Sequence, residues 1–150
     1  MTNPEQVTVA VLLTQVADAQ SLAAACAMNK LKVTAVSSPI GAYGVCHDLS
    51  AGKPQEVAKA VSALVQSVPV IMITASSGQM KAEQWQAGEV VGKLPVALVL
   101  DGAPHELEDL LLQQTTVEEL PDTVFSGDIS RFKALRMLAG AAKAYKAKAK

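Results

Sequence analysis

The chain has 150 residues, half of them hydrophobic and only 3% aromatic, with a formal net charge of −1. That length suits one α/β domain over residues 1–150, burying on folding roughly 70% of the surface of the extended chain, so no disulfide is required. The scarcity of aromatic residues argues against the stacking platforms of single-strand nucleic-acid binders, and no apolar run approaches the roughly 20 residues that cross a bilayer.

The two cysteines, Cys26 and Cys46, lack CxxC or zinc-type spacing. With no apolar leader at the N-terminus, the composition reads as cytoplasmic with reduced thiols. The small net charge conceals a segregation. From Asp101 to Asp128 stand eight acidic residues and no Lys or Arg, and from Ile129 to Lys150 seven basic residues and no acidic one. The two blocks can attract each other.

Residues 7–13 (VTVAVLL) are apolar and β-branched without alternation, the pattern of a strand buried on both faces. The spacing predicts a helix over 18–30, with Leu22, Ala25 and Cys26 inward and Asp18 and Lys30 opposing the end charges of its dipole. Its other face carries Ala23, Ala24 and Ala27, which need little water, and is the expected contact with another copy or another protein. The plainer reading is that alanine is the best helix former. Residues 33–37 give a second strand and 38–44 a turn containing Tyr43, a second possible contact, while 45–49 is either loop or a short strand pairing back as a hairpin. A helix over 54–66 follows, with Val57, Val61 and Leu64 on its buried stripe.

The most apolar stretch, Val68-Pro69-Val70-Ile71-Met72-Ile73, reads as the central strand, Pro69 being tolerated at its first residue. Pairs of an apolar residue and proline recur every 26 residues, at Val68-Pro69, Leu94-Pro95 and Leu120-Pro121, room for strand, turn, helix and turn. On that rhythm 80–91 is a helix interrupted by Gly88, 95–100 a strand, 104–113 an acidic helix and 123–126 a short strand. Ser130 caps a last helix whose stripe is Phe132, Leu135, Leu138, Ala142 and Tyr145. Residues 1–6 and 146–150 read as flexible ends.

Five strand signals alternating with five helix signals imply a three-layer αβα sandwich around a mostly parallel, five-stranded sheet, with a flavodoxin-like order preferred. The competing layout makes 45–49 a true strand and gives a split βαβ, ferredoxin-like first half with appended βα units. The flavodoxin comparison rests on layout alone and transfers no activity.

In the parallel arrangement the carboxyl ends of the strands bring Thr14, Gln15, Ser76, Ser77, Gly78, Asp101 and Gly102 to one edge, where open α/β sheets hold ligands. Ser76-Ser77-Gly78 before a helix offers hydroxyls and N–H groups to a phosphate or carboxylate, although the same residues serve as ordinary caps and turns. Asp101 and Asp128 could share Mg²⁺, but Asp before Gly is common turn chemistry, so no metal is assigned and no cofactor can be named. Cys46-His47-Asp48 cannot be a nucleophile-base pair on an extended segment, because neighbours point to opposite faces; only a distant partner such as His105 would serve Cys46. No catalytic residue is assigned. The basic last helix reads as a solvated face beside an acidic block that repels phosphates, so a nucleic-acid partner is not expected.

Two functions are left open. The first is a non-catalytic interaction or regulatory module that self-associates through the 18–30 helix. The second is binding, with or without turnover, of a small anionic metabolite or nucleotide at the strand ends.

Overall fold

The computed structural model describes residues 7–50, 52–76, 79–120, 123–130 and 132–136. In chain order the elements are β1 (Val9–Leu13), α1 (Ala19–Met28), β2 (Val33–Val36), β3 (Tyr43–Cys46), α2 (Lys53–Leu64), β4 (Val70–Ser76), β5 (Gln79–Gln86), β6 (Glu89–Leu94), α3 (Val96–Asp101), α4 (His105–Leu111) and β7 (Val124–Phe125). Short 3-10 turns occupy Val117–Glu119 and Ser126–Asp128, and residues 132–136 are helical. No helix among the described residues is long and apolar enough to cross a membrane.

The seven strands form one sheet in the order β6-β5-β4-β1-β3-β2-β7, and every pairing is antiparallel. The mostly parallel, flavodoxin-like sheet expected from the sequence is therefore corrected. The apolar stretch taken as its centre, β4, runs opposite to β1, with Val9 facing Ala75 and Leu13 facing Ile71. The physical reason lies in the 37–42 turn, which returns the chain as β3 between β1 and β2. Gly41, at φ +117°, makes that return by pressing against the Thr14 carbonyl, where a Cβ would have no room. From β1 to β4 the chain thus runs β-α-β-β-α-β, with β3 between β1 and β2 and β1 between β3 and β4. This is split βαβ, ferredoxin-like connectivity. Beyond β4 the described residues form not a pair of βα units but a hairpin, two short helices, a two-residue strand and the 132–136 helix.

Both faces of the sheet are covered, which accounts for the unbroken apolar runs. Ala10 and Leu12 of β1 with Val70 and Met72 of β4 face Leu22 and Cys26 of α1 and Val57 and Val61 of α2. Val11 and Leu13 with Ile73 and Ala75 face Leu107, Leu110 and Leu111 of α4 and Val117. Strand direction leaves no mark on such a pattern, because a residue buried on either face is apolar whichever way its neighbour runs.

The expected helix over 80–91 and strand over 95–100 are exchanged. Residues 79–94 form the β5–β6 hairpin, whose turn residues Ala87 and Gly88 take φ of +54° and +83°, the double left-handed geometry of a type I′ turn. Pro95 is not the start of a strand but the N-cap of α3. The 26-residue rhythm of prolines therefore does not mark equal units. The single tryptophan, Trp85, packs from β5 against the α1–α2 side of the core, and its buried indole N–H has no hydrogen-bond partner among the described residues.

The α1 helix is capped by Asp18, whose carboxylate accepts the Ser21 N–H at 2.7 Å. Ala23, Ala24 and Ala27, expected on an outward contact face, are all buried. Their cover includes the chain's own last described segment, since Ala134 packs on Ala24 and Ala27 with Ile129 beside them. The 132–136 helix thus turns Ala134 inward, and Phe132 and Leu135 of the expected stripe point outward, its further members Leu138, Ala142 and Tyr145 lying outside the described residues.

Candidate functional site

Antiparallel pairing of β1 and β4 places the two halves of the expected ligand edge at opposite ends of the sheet, roughly 17 Å of strand apart. Thr14 and Gln15 follow one end of β1. Ser76 closes β4 at the other end, opposite Gln79, next to where the Thr8 N–H donates to the Ala75 carbonyl. Ser77 and Gly78 lie outside the described residues. Thr14 is buried and engaged: its hydroxyl donates to the Ala42 carbonyl at 2.6 Å and accepts the Val16 N–H at 3.1 Å. Gln15 is exposed. Asp101 and Gly102 do not follow a strand at all; they end α3, which lies beside β5 with Val96, Val99 and Leu100 partly buried. Asp128 sits next to β7, at the far side of the sheet from Asp101, so the two carboxylates share no site.

Cys46 and His47 occupy opposite faces, as strand alternation requires. The Cys46 thiol lies in the α1–α2 core with Cys26. Burial pushes both thiols up to about 12 from the usual 9.0, and the nearby Cys46 adds to the effect on Cys26. Neither is therefore a thiolate near neutral pH. His105 begins α4, on the other side of the sheet from Cys46, and cannot serve it as a base. His47 is exposed; its Nε2 is hydrogen-bonded to the Thr34 hydroxyl at 2.5 Å, and its ring lies 4.8 Å from that of Phe125. Asp48 is held below the usual carboxylate range by accepting from the hydroxyl and N–H of Ser50, helped by Lys53 and Lys32. This is a local turn rather than a triad. Tyr43, expected in a contact loop, is buried in β3, and its hydroxyl donates to Glu106 of α4 at 3.3 Å.

Among the described residues a concavity lies elsewhere, a cleft of about 290 Å³ on the α4 side of the sheet. Its apolar floor is Val9, Val45, Leu110 and Val117, and its rim includes Thr8, His47, Thr116 and Glu118. Sequence reasoning missed it because it forms only where β3 lies beside β1 and the 113–118 loop folds back over both. In the sequence the Thr115-Thr116 pair after an acidic helix reads as loop and nothing more. Comparison with protein-family models, with curated proteins and with solved structures found no match.

Proposed function

We propose that the protein acts by association with further copies of itself, as a non-catalytic interaction or regulatory module. The observation that carries this reading is the apolar surface left uncovered. Leu98 of α3, Phe132 and Val91 are 73%, 71% and 60% exposed, although Val96, Val99 and Leu100 of α3 pack partly buried on the α4 side of the core. Large apolar side chains left exposed in this way, on α3, on β6 and on the 132–136 helix, are the surfaces available for contact. The 18–30 helix expected to make the contact is occupied by the chain's own Ala134, so the contact belongs to these other surfaces.

A reducing, cytoplasmic setting fits two buried cysteines that are both free. The alternative of a small anionic ligand would have to use the hydroxyls and His47 of the cleft, and Glu118 on the same rim opposes it. Light scattering across a concentration series tests the proposal. Mass should rise above that of one chain as concentration rises, and a constant monomer mass at the highest attainable concentration would end this reading.

A further inference from the structure

Two unmatched features stand on opposite sides of the sheet, the outward Phe132/Leu135 stripe and the cleft under α4. We infer that they meet between molecules: the 132–136 helix of one copy seats Phe132 in the cleft of the next. The inference rests on the self-association proposed above and specifies how it is built.

The helix supplies the knob. Ala134 is wholly buried against α1, which turns Phe132 and Leu135, three residues apart and so on one stripe, away from the molecule at 71% and 54% exposure. The cleft supplies the hole. At about 290 Å³, floored by Val9, Val45, Leu110 and Val117, it has room for an aromatic ring, since a cavity of about 150 Å³ already admits benzene.

Charge selects the orientation. Lys133 and Arg136 flank Phe132, with the Arg136 guanidinium 5.9 Å over its ring, and both are exposed. Glu118, of the acidic block, lines the cleft and stands exposed on its rim. Among the described residues the one ion pair is Lys53 with Glu56, so there Lys133, Arg136 and Glu118 are not paired with one another. Complementary charge of this kind steers encounter and fixes register.

Topology excludes the intramolecular version. Ala134 packs on the α1–α2 side and the cleft opens on the α4 side, with the sheet between them. Two patches on opposite faces cannot both meet one partner about a two-fold axis. The contact is therefore head-to-tail and propagates into rings or chains rather than stopping at a dimer. The other apolar surface, at the β6 edge, is the weaker candidate. A bulge opposite Gln84/Trp85 and the charged Lys93 guard it against strand addition.

Two surface variants provide the test. Phe132→Ser removes the knob and keeps the cleft, whereas Thr116→Trp/Glu118→Arg fills the cleft, reverses its rim charge and keeps the knob. Circular dichroism and thermal melting confirm that both fold. The wild type should pass beyond the dimer in light scattering, with association weakening as salt rises, and each variant alone should associate at least about 30-fold more weakly. Mixed, the two should form a 1:1 dimer and nothing larger, because only one knob and one hole remain. A wild type that assembles while the variants assemble equally well overturns the knob-and-cleft contact and leaves self-association standing. A wild type that stops at a dimer overturns the head-to-tail arrangement, and one that never leaves the monomer removes both proposals.

Discussion

The hydroxyl of Thr14 serves two buried backbone groups, the Ala42 carbonyl and the Val16 N–H. Thr14→Val keeps the shape and strands both groups, and should lower unfolding stability by about 1–3 kcal/mol in a denaturant titration. A residue chosen from sequence for its chemistry is in this case part of the frame that holds the 37–42 turn, and only the position of Ala42 reveals it. The two thiols lead to a prediction about pH. Their ordinary value is 9.0 and the folded value about 12 for each, so the fold favours the neutral thiol. That contribution is complete below pH 9. It declines between pH 9 and 12, where unfolded chains release thiol protons and folded ones retain them. Stability measured by urea titration should accordingly fall with rising pH across that window. In Cys26→Ala/Cys46→Ala the fall should be shallower, whatever that variant's absolute stability; an equal slope would exclude the thiols as its source.

At the scale of elements, the sequence was most legible where helical spacing was clean. Val57 and Val61 of α2 and Leu107, Leu110 and Leu111 of α4 are buried where periodicity put them, while Leu64, expected on the α2 stripe, is 47% exposed near the helix end, and Asp18, expected only to oppose the α1 dipole, caps that helix. It was least legible over 79–101. Met80, Lys81, Ala82, Glu83 and Gln84 are helix-favouring residues recruited into a strand because β4 offers seven residues of edge to pair with. The reverse holds for Val96 to Leu100, where a β-rich composition follows Pro95 into a helix turn beside β5. The resulting edge strand, β6, is exposed along almost its whole length, which makes Lys93 its main charged guard beside Glu89. Lys93→Val should shorten the lag of aggregation followed by thioflavin fluorescence, with little change in the melting temperature of the soluble protein. Unchanged aggregation kinetics would show that the bulge alone protects the edge.

At the scale of the whole molecule, layering was legible and direction was not. Apolar runs report that helices cover both faces, but the order of strands is decided by contacts the chain makes across long separations. Ser126 is the clearest of these. Its hydroxyl donates to the Leu31 carbonyl at 2.6 Å and accepts the Val33 N–H at 2.8 Å, about ninety residues away in the chain. Ser126→Ala should cost about 1–3 kcal/mol and abolish the slow hydrogen exchange of the Val33 amide, an effect local denaturation of β7 alone would extend to Ala35, whose N–H points the same way, but not to Thr34, which faces β3.

The lone indole has a practical bearing on all of these measurements. With its N–H enclosed and unpartnered among the described residues, Trp85 should emit at shorter wavelength than an indole in water, and its emission will shift to the red when the β4–β5 end of the molecule opens. Cys26 and Cys46 sit at the other end of the same core, silent to thiol reagents until that end opens. Colour and reactivity, followed in one sample, therefore read whether the two ends come apart together or in turn.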